Sequence, residues 1–358
     1  MRRRAFVATA LLLSVIGGPL GAQEDRLRTQ PGLPPQPDPA KPQGVPTKPV
    51  ERPRIPSYDD GTIEALHVAG SVYLVAGGGA NVVVQDGGAG LLVVNTGPAA
   101  SGKAVLGGIQ QISKRPIRLI LSTSADDELT GANELISNSG VNINAGVGGA
   151  GGREPARLDG APIIATEAVL HRMSGLKNEP AREPFGTWPH LSFYGPLSTR
   201  NFNDEVVEMR HTPGAHTDGD LFVWFRTSDV IAAGNLYSTT TYPVIDLNKG
   251  GTVQGYLDAL NAMIDIAVPK FNNQGGTLIV PAHGRISNES DIAEYRDMLT
   301  IIRDRVQGMV DKGLTLAQVR AARPTLDYDG IYANPRGPWT ADAFLEAVYT
   351  DVSRNRKR

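Results

Sequence analysis

The sequence predicts an α/β domain. Short β-rich runs bounded by glycine turns alternate with amphipathic helical segments, and each half opens on hairpin-like strands. Taken in order, "SVYLVAG", "NVVVQD" and "GLLVVNTG" are strands, and "SGKAVLGGIQQISK" is a helix. "IRLILST" is a buried strand, and "TGANELISNSG" a short helix closed by glycine. Glycine-rich residues 145–160 read as a loop, because "GVGGAGG" lacks the strand-to-helix setting of a phosphate-binding turn. "APIIAT" and "EAVLHRM" add a strand and a helix, and residues 188–202 read as an irregular aromatic segment. "EVVEMRHT", "DLFVWFR" and "DVIAAG" are three more strands. "VQGYLDALNAMIDIAV" is an amphipathic helix, "GTLIVPAHG" a strand, and "DIAEYRDMLTIIRDRVQGMVDKG" a long helix. Helical patterns over 316–322 and 341–352 complete the chain.

Composition bounds the function classes. The 358 residues are 41% hydrophobic and 20% charged, with a net charge of −2 and no large basic block, which argues against a nucleic-acid partner. Absence of cysteine excludes disulfides, thiolate metal ligands and a thiol-linked lipid anchor. Residues 1–22 have the order of an export signal: "MRRR", a short apolar run over 5–16, then small residues in "GPLGA". That run is shorter than the about 20 residues a membrane span needs, so no span is expected once the signal is removed. Arg3, Arg4 and Phe6 partly fit a twin-arginine signal, which leaves two export routes open. Residues 23–56 are proline-rich and polar and read as an extended linker. The expected plan is therefore signal 1–22, linker 23–56, α/β domain 57–313 and helical extension 314–358, in a periplasmic or secreted protein.

The polar chemistry lies in loops that follow apolar runs: "STSADDELTG", "HTPGAHTDGD", "AAGNLYS" and "VPAHGR", in that order. This series resembles the metallo-β-lactamase superfamily of hydrolases over roughly 70–313. "GAHTDGDLFVWF", "TYPVIDLNKGGTVQGYLDAL" and "GGTLIVPAHGR" look especially like a secreted bacterial branch of it. The resemblance implies a four-layer αβ/βα sandwich with the site along one edge of two sheets. In active members the first loop reads H-x-H-x-D-H. Its imidazoles and carboxylate hold one or two metals, which lower the pKa of a bound water towards about 7.

Laid on that frame, Ser124 and Asp126 stand where the leading histidines sit, Glu128 where the aspartate sits and Leu129 where the last histidine sits. His216 and His283 match the later histidines, and Asn235 replaces a metal-bridging carboxylate. Leu129 has no donor, and Asn235 offers a neutral amide oxygen. Asp126, Glu128, His216 and His283 remain as ligands for at most one divalent ion, Zn²⁺, Mn²⁺ or Fe²⁺, with no metal as the alternative. The dinuclear zinc site is out of reach.

Three functional readings follow. One is a hydrolase with an altered metal site, acting on a small ester, lactone or amide, with Glu128 and Ser124 as catalytic groups. A variant makes Ser124 the nucleophile, His216 or His283 its base, and Asp126 or Asp220 the orienter. No G-x-S-x-G elbow supports that variant. The alternative is a catalytically inactive pseudoenzyme that binds a ligand or partner in the same pocket. Asp126, Asp127 and Glu128 also read simply as an acidic helix start. Asp218 and Asp220 are expected to brace the His216 loop, with Asp220 and Asn235 bordering the pocket. The partner class is a small molecule, and residues 188–202 and 145–160 are expected to border its site. Oligomeric state is not legible.

Overall fold

Apolar runs that are buried on both faces set the architecture. The computed structural model describes residues 61–142, 160–175, 180–269, 275–334, 337 and 339–356, all within one compact unit. The expected signal and linker, and residues 145–159 of the glycine-rich stretch, lie outside the described residues.

Strands β1 (Glu64–Ala69), β2 (Val72–Ala76), β3 (Val82–Gly87), β4 (Gly90–Val94), β5 (Ile117–Leu121), β6 (Ile163–Thr166) and β7 (Leu191–Phe193) form one sheet in chain order. The first four pair antiparallel, and β4 to β7 pair parallel. The second sheet runs β12 (Leu278–His283), β11 (Val230–Ser238), β10 (Leu221–Phe225), β9 (Glu205–His211), β8 (Leu197–Phe202), with only β11 and β12 parallel. Among the described residues the helices are α1 (Gly102–Ile112), α2 (Asp127–Thr130), α3 (Asn133–Asn138), α4 (Glu167–Ser174), α5 (Val253–Ile264), α6 (Glu289–Asp311), α7 (Leu316–Ala322), α8 (Asp329–Tyr332) and α9 (Ala341–Arg356).

Side-chain alternation assigns the layers. Leu92 and Val94 of β4 face the second sheet and meet Val207, Met209, Val223 and Val280 there. Leu91 and Val93 point the other way and pack with Val105 and Ile109 of α1 and Ile136 of α3. In the second sheet Phe222, Ile231 and Ile279 face outward, under α5, α6, α7 and α9. The order helix, sheet, sheet, helix is the expected αβ/βα sandwich. A strand covered on both faces needs apolar residues at every position, which is why these runs are continuous rather than alternating.

Residues 314–356 share this core. Val319 of α7 and Phe344, Leu345 and Val348 of α9 are buried in one cluster with Tyr256 and Leu299. At one end of the sheets Glu205 clasps the layers together. Its buried carboxylate accepts from Gln85 Nε2 (2.6 Å), Ser228 Oγ (3.1 Å) and the Ser228 amide.

Two differences from the sequence reading stand out. The segment 188–202 is not irregular: it supplies β7 and β8, the outer strands of the two sheets. Leu191 and Leu197 there are about half exposed, so these strands lack the apolar pattern that marks buried ones. β1 was likewise hidden, because "EALHVA" has no fully buried residue.

Candidate functional site

The carboxyl ends of β4, β5, β11 and β12 and the loops beyond them converge at the other end of the sheets. Asn95, in the left-handed region at φ 61°, turns its side chain to accept from the Thr123 amide (2.9 Å) and hydroxyl (3.0 Å). That pins residues 122–126 against the end of β4. Gly234 brings β11 alongside: at φ 56°, a Cβ there would lie 2.5 Å from Thr123 Oγ1. Asn235 is thereby delivered to Asp126. His283 ends β12, paired with Ser238, and the following loop is tied down by Arg285 on Asp291 of α6 (2.6 Å).

Asp126 is the centre of the cluster. Its Oδ2 accepts from His216 Nε2 (2.8 Å), Asn235 Nδ2 (2.9 Å) and Ser124 Oγ (3.0 Å), and its Oδ1 lies 3.6 Å from Lys249 Nζ. Lys249 also pairs with Asp246 at 3.2 Å. Asp246 caps the turn Leu247–Lys249, which Gly250 closes at φ 86°. Glu128 accepts from Asn235 Nδ2 (3.0 Å) and meets His283 Nε2 at 3.3 Å.

The charge states follow. His216 Nδ1 donates to the Val244 carbonyl at 2.7 Å, so Nε2 can donate to Asp126 only as an imidazolium. Burial disfavours that cation, but the Asp126 hydrogen bond and the nearby Asp220 charge outweigh it and raise the pKa to about 9. Burial pushes Asp126 up. His216, Lys249 and Ser124 prevail and hold its carboxyl well below the usual range. The hydrogen bond from His283 lowers the Glu128 pKa against an opposing burial effect.

A cavity of about 620 Å³ opens over this cluster. Asp126, Asp127, Glu128, His216, Asn235 and His283 line it, together with Lys249, Asp246, Tyr237, Tyr242, Tyr256, Tyr295 and Trp339. Ser124 does not: it is fully buried and donates to Asp126, while His216 Nε2 faces Asp126 instead of a serine. No nucleophile–base hydrogen bond is formed there. Asp220 is buried behind His216, accepts from the Thr217 amide and hydroxyl, and does not reach the cavity. Asp218 pairs with Arg172 at the surface. None of residues 188–202 lines the cavity, and Asn334, Gly337 and Trp339 do so instead.

The residues present do not fit a dinuclear metal centre. Leu129 is fully buried against Ala80 and Ala282, and Asn235 turns an N–H donor towards both carboxylates. Asp126 Oδ2 is taken by three of the protein's own donors, and Lys249 Nζ stands 3.6 Å from Oδ1. Among the described residues no group of three or more His, Cys, Asp or Glu side chains is disposed to hold a metal ion.

Sequence reasoning missed Lys249 and Asp246, although both lie in the "TYPVIDLNKGG" stretch it singled out. An aspartate, a lysine and a Gly-Gly pair in that order mark a capped turn presenting a cation. Trp339 carried no comparable signal, since only folding brings Asn334, Gly337 and Trp339 to the cavity.

No family model matches the sequence, and no curated protein matches it. Among solved structures the chain is similar to the inverting sec-alkylsulfatase Pisa1 from Pseudomonas sp., at 14% identity and TM-score 0.58 over 80% of this chain. A double mutant of the sec-alkyl sulfatase PisA1 gives a TM-score of 0.59 at the same identity. The match spans half the length of those two chains. A metallo-β-lactamase from Pontibacter korlensis matches at 13% identity and TM-score 0.49, over 67% of this chain and 99% of that one. The likeness is one of fold.

Proposed function

We propose that this chain, which has the metallo-β-lactamase fold, is an exported pseudoenzyme that binds a small organic ligand in the cavity above Asp126 without a metal centre. The observation that carries this reading is the neutralisation of Asp126 from within. His216 holds one carboxylate oxygen and Lys249 stands over the other. Two organic cations supply the positive charge that a metal would supply in a hydrolase of this fold.

Hydrolysis without a metal is poorly served by the same groups. Glu128 is the exposed carboxylate best placed to act as a base, and its lowered pKa makes it a weak one. Ser124 is buried and donates its proton to Asp126, so it is not poised to attack. The cavity volume lies within the range of about 300–1,000 Å³ usual for small-molecule sites, and four tyrosines and Trp339 are among the residues that line it.

The test is elemental analysis of protein purified without chelator and again after incubation with zinc, followed by assay on β-lactam, lactone, ester and sulfate-ester panels. The expected outcome is well under one metal per chain and no hydrolysis above background. One or more tightly held zinc ions per chain, or zinc-dependent turnover of any panel member, would refute the reading.

A further inference from the structure

We propose that the cavity selects a small organic cation, an amine carried on an apolar body, and rejects anions. This rests on the reading of the cavity as a ligand site and adds the chemical class of its ligand. The first support is a charge count. Asp126, Asp127, Glu128 and Asp246 line the cavity, against Lys249, His216 and His283. Even with both imidazoles counted as charged, four negative groups face three positive ones. The cations are also already engaged: Lys249 lies between Asp126 and Asp246, His216 on Asp126 and His283 on Glu128. A carboxylate or sulfate entering the cavity would compete with carboxylates that hold those partners. An ammonium has an acceptor available. Glu128 is half exposed, and Asn235 and His283 approach its carboxylate at Oε1.

The second support is the wall. Tyr237, Tyr295 and Tyr242 line the cavity and belong to a chain of ring contacts through Tyr332 to Phe344, with centroids 4.6–5.7 Å apart. Their hydroxyls are spent inside the protein, on Ser287, on the Thr241 carbonyl and on Asp329. These three tyrosines are at most 3% exposed and their protons are spent, so they back the cavity without offering free donors, and an anion finds no unspent phenolic proton. Trp339, fixed by its indole N–H on the Pro243 carbonyl (3.1 Å), is the lining aromatic that is partly exposed. Aromatic faces attract ammonium groups and repel anions. The carboxylate surplus and the Trp339 ring thus favour the same sign of ligand.

Isothermal titration of the full chain with benzylamine, benzyl alcohol and benzoate tests this, because the three share one body and differ in charge. Benzylamine is expected to bind at least about tenfold more tightly than the alcohol, more weakly at high salt, with no measurable benzoate binding. Glu128→Gln should weaken benzylamine by about tenfold or more, read on protein whose cooperative melt shows that it is folded. Benzoate binding as tightly as benzylamine would overturn the cation assignment while leaving the cavity a ligand site. An unaltered benzylamine affinity in Glu128→Gln, or no binding of any probe, would overturn it too. Metal content and the hydrolysis panels decide the underlying reading separately.

Discussion

Replacing Asp126 by asparagine isolates the charge at the centre of the cluster. The amide keeps nearly the same shape but removes the anion that holds His216 as an imidazolium at 2.8 Å. In the folded protein the His216 pKa is raised from 6.5 to about 9. Because the folded value lies above the unfolded one, its contribution to stability is complete below pH 6.5 and is lost as pH rises through 9. At about 1.4 kcal/mol per pKa unit, the integrated contribution at pH 7 is about 2.5 kcal/mol. The Asp126 carboxyl, held low, adds stability that is lost as pH falls through its own depressed pKa. Urea unfolding of the wild type and Asp126→Asn at pH 7 and pH 10 reads the effect. The variant should be less stable by about 2–3 kcal/mol at pH 7, and the gap should shrink towards about 1 kcal/mol at pH 10, where His216 is neutral in both proteins. A gap of the same size at both pH values would show that the pair is not ionic and that the reasoning from His216 is wrong.

Other perturbations probe the remaining parts. Substituting Ser124→His, Asp126→His, Glu128→Asp, Leu129→His and Asn235→Asp together should raise the zinc content measured by elemental analysis. An unchanged content would mean that more than the ligands themselves has been lost. Gly234→Ala combines an unfavourable φ with a Cβ at 2.5 Å from Thr123 Oγ1, and should lower stability by about 2 kcal/mol or more in a denaturant titration. A shift below a few tenths of a kcal/mol would deny β11 its close approach to Thr123. Glu205→Ala leaves Gln85 and the Ser228 amide without their acceptor and should cost on the order of 3 kcal/mol of stability, while leaving ligand binding in the distant cavity unchanged.

The fold was legible where side chains are buried on both faces, since runs such as "GLLVV" and "IRLIL" admit few other readings. It was illegible at β1, β7 and β8, whose exposed positions carry no periodic signal. For the site, loop order alone placed Asp126, Glu128, His216, Asn235 and His283 together, and the structure brings them to one cavity. Spacing could not show what those groups bind to. Asp126 reads as a free ligand in sequence, and only the fold shows Lys249, 123 positions later, standing over it. Asp220 braces the His216 loop as expected, but Ser124 as a catalytic group and Asp220 as a pocket residue were misjudged for the same reason: position in a motif says nothing about which way a side chain is turned. Ser124 is tucked beneath Asp126 and Asp220 behind His216, and neither reaches the cavity.

Leu129 bears on what single substitutions can reach as well as on chemistry. Packed at 0% exposure against Ala80 and Ala282, it belongs to the apolar lining of the sandwich as much as to the loop. A lone Leu129→His would place an imidazole in that apolar niche, with Asp126 already engaged elsewhere and no ion to reward the change. Substitutions at Ser124, Asp126, Glu128 or Asn235 meet a similar obstacle, because the groups they would have to join are bound to one another. A metal centre is therefore several substitutions away, and the first of them lower stability before any can gain. The loop works as a ratchet: single changes that leave its lock intact are tolerated, while those that would open it are penalised one at a time.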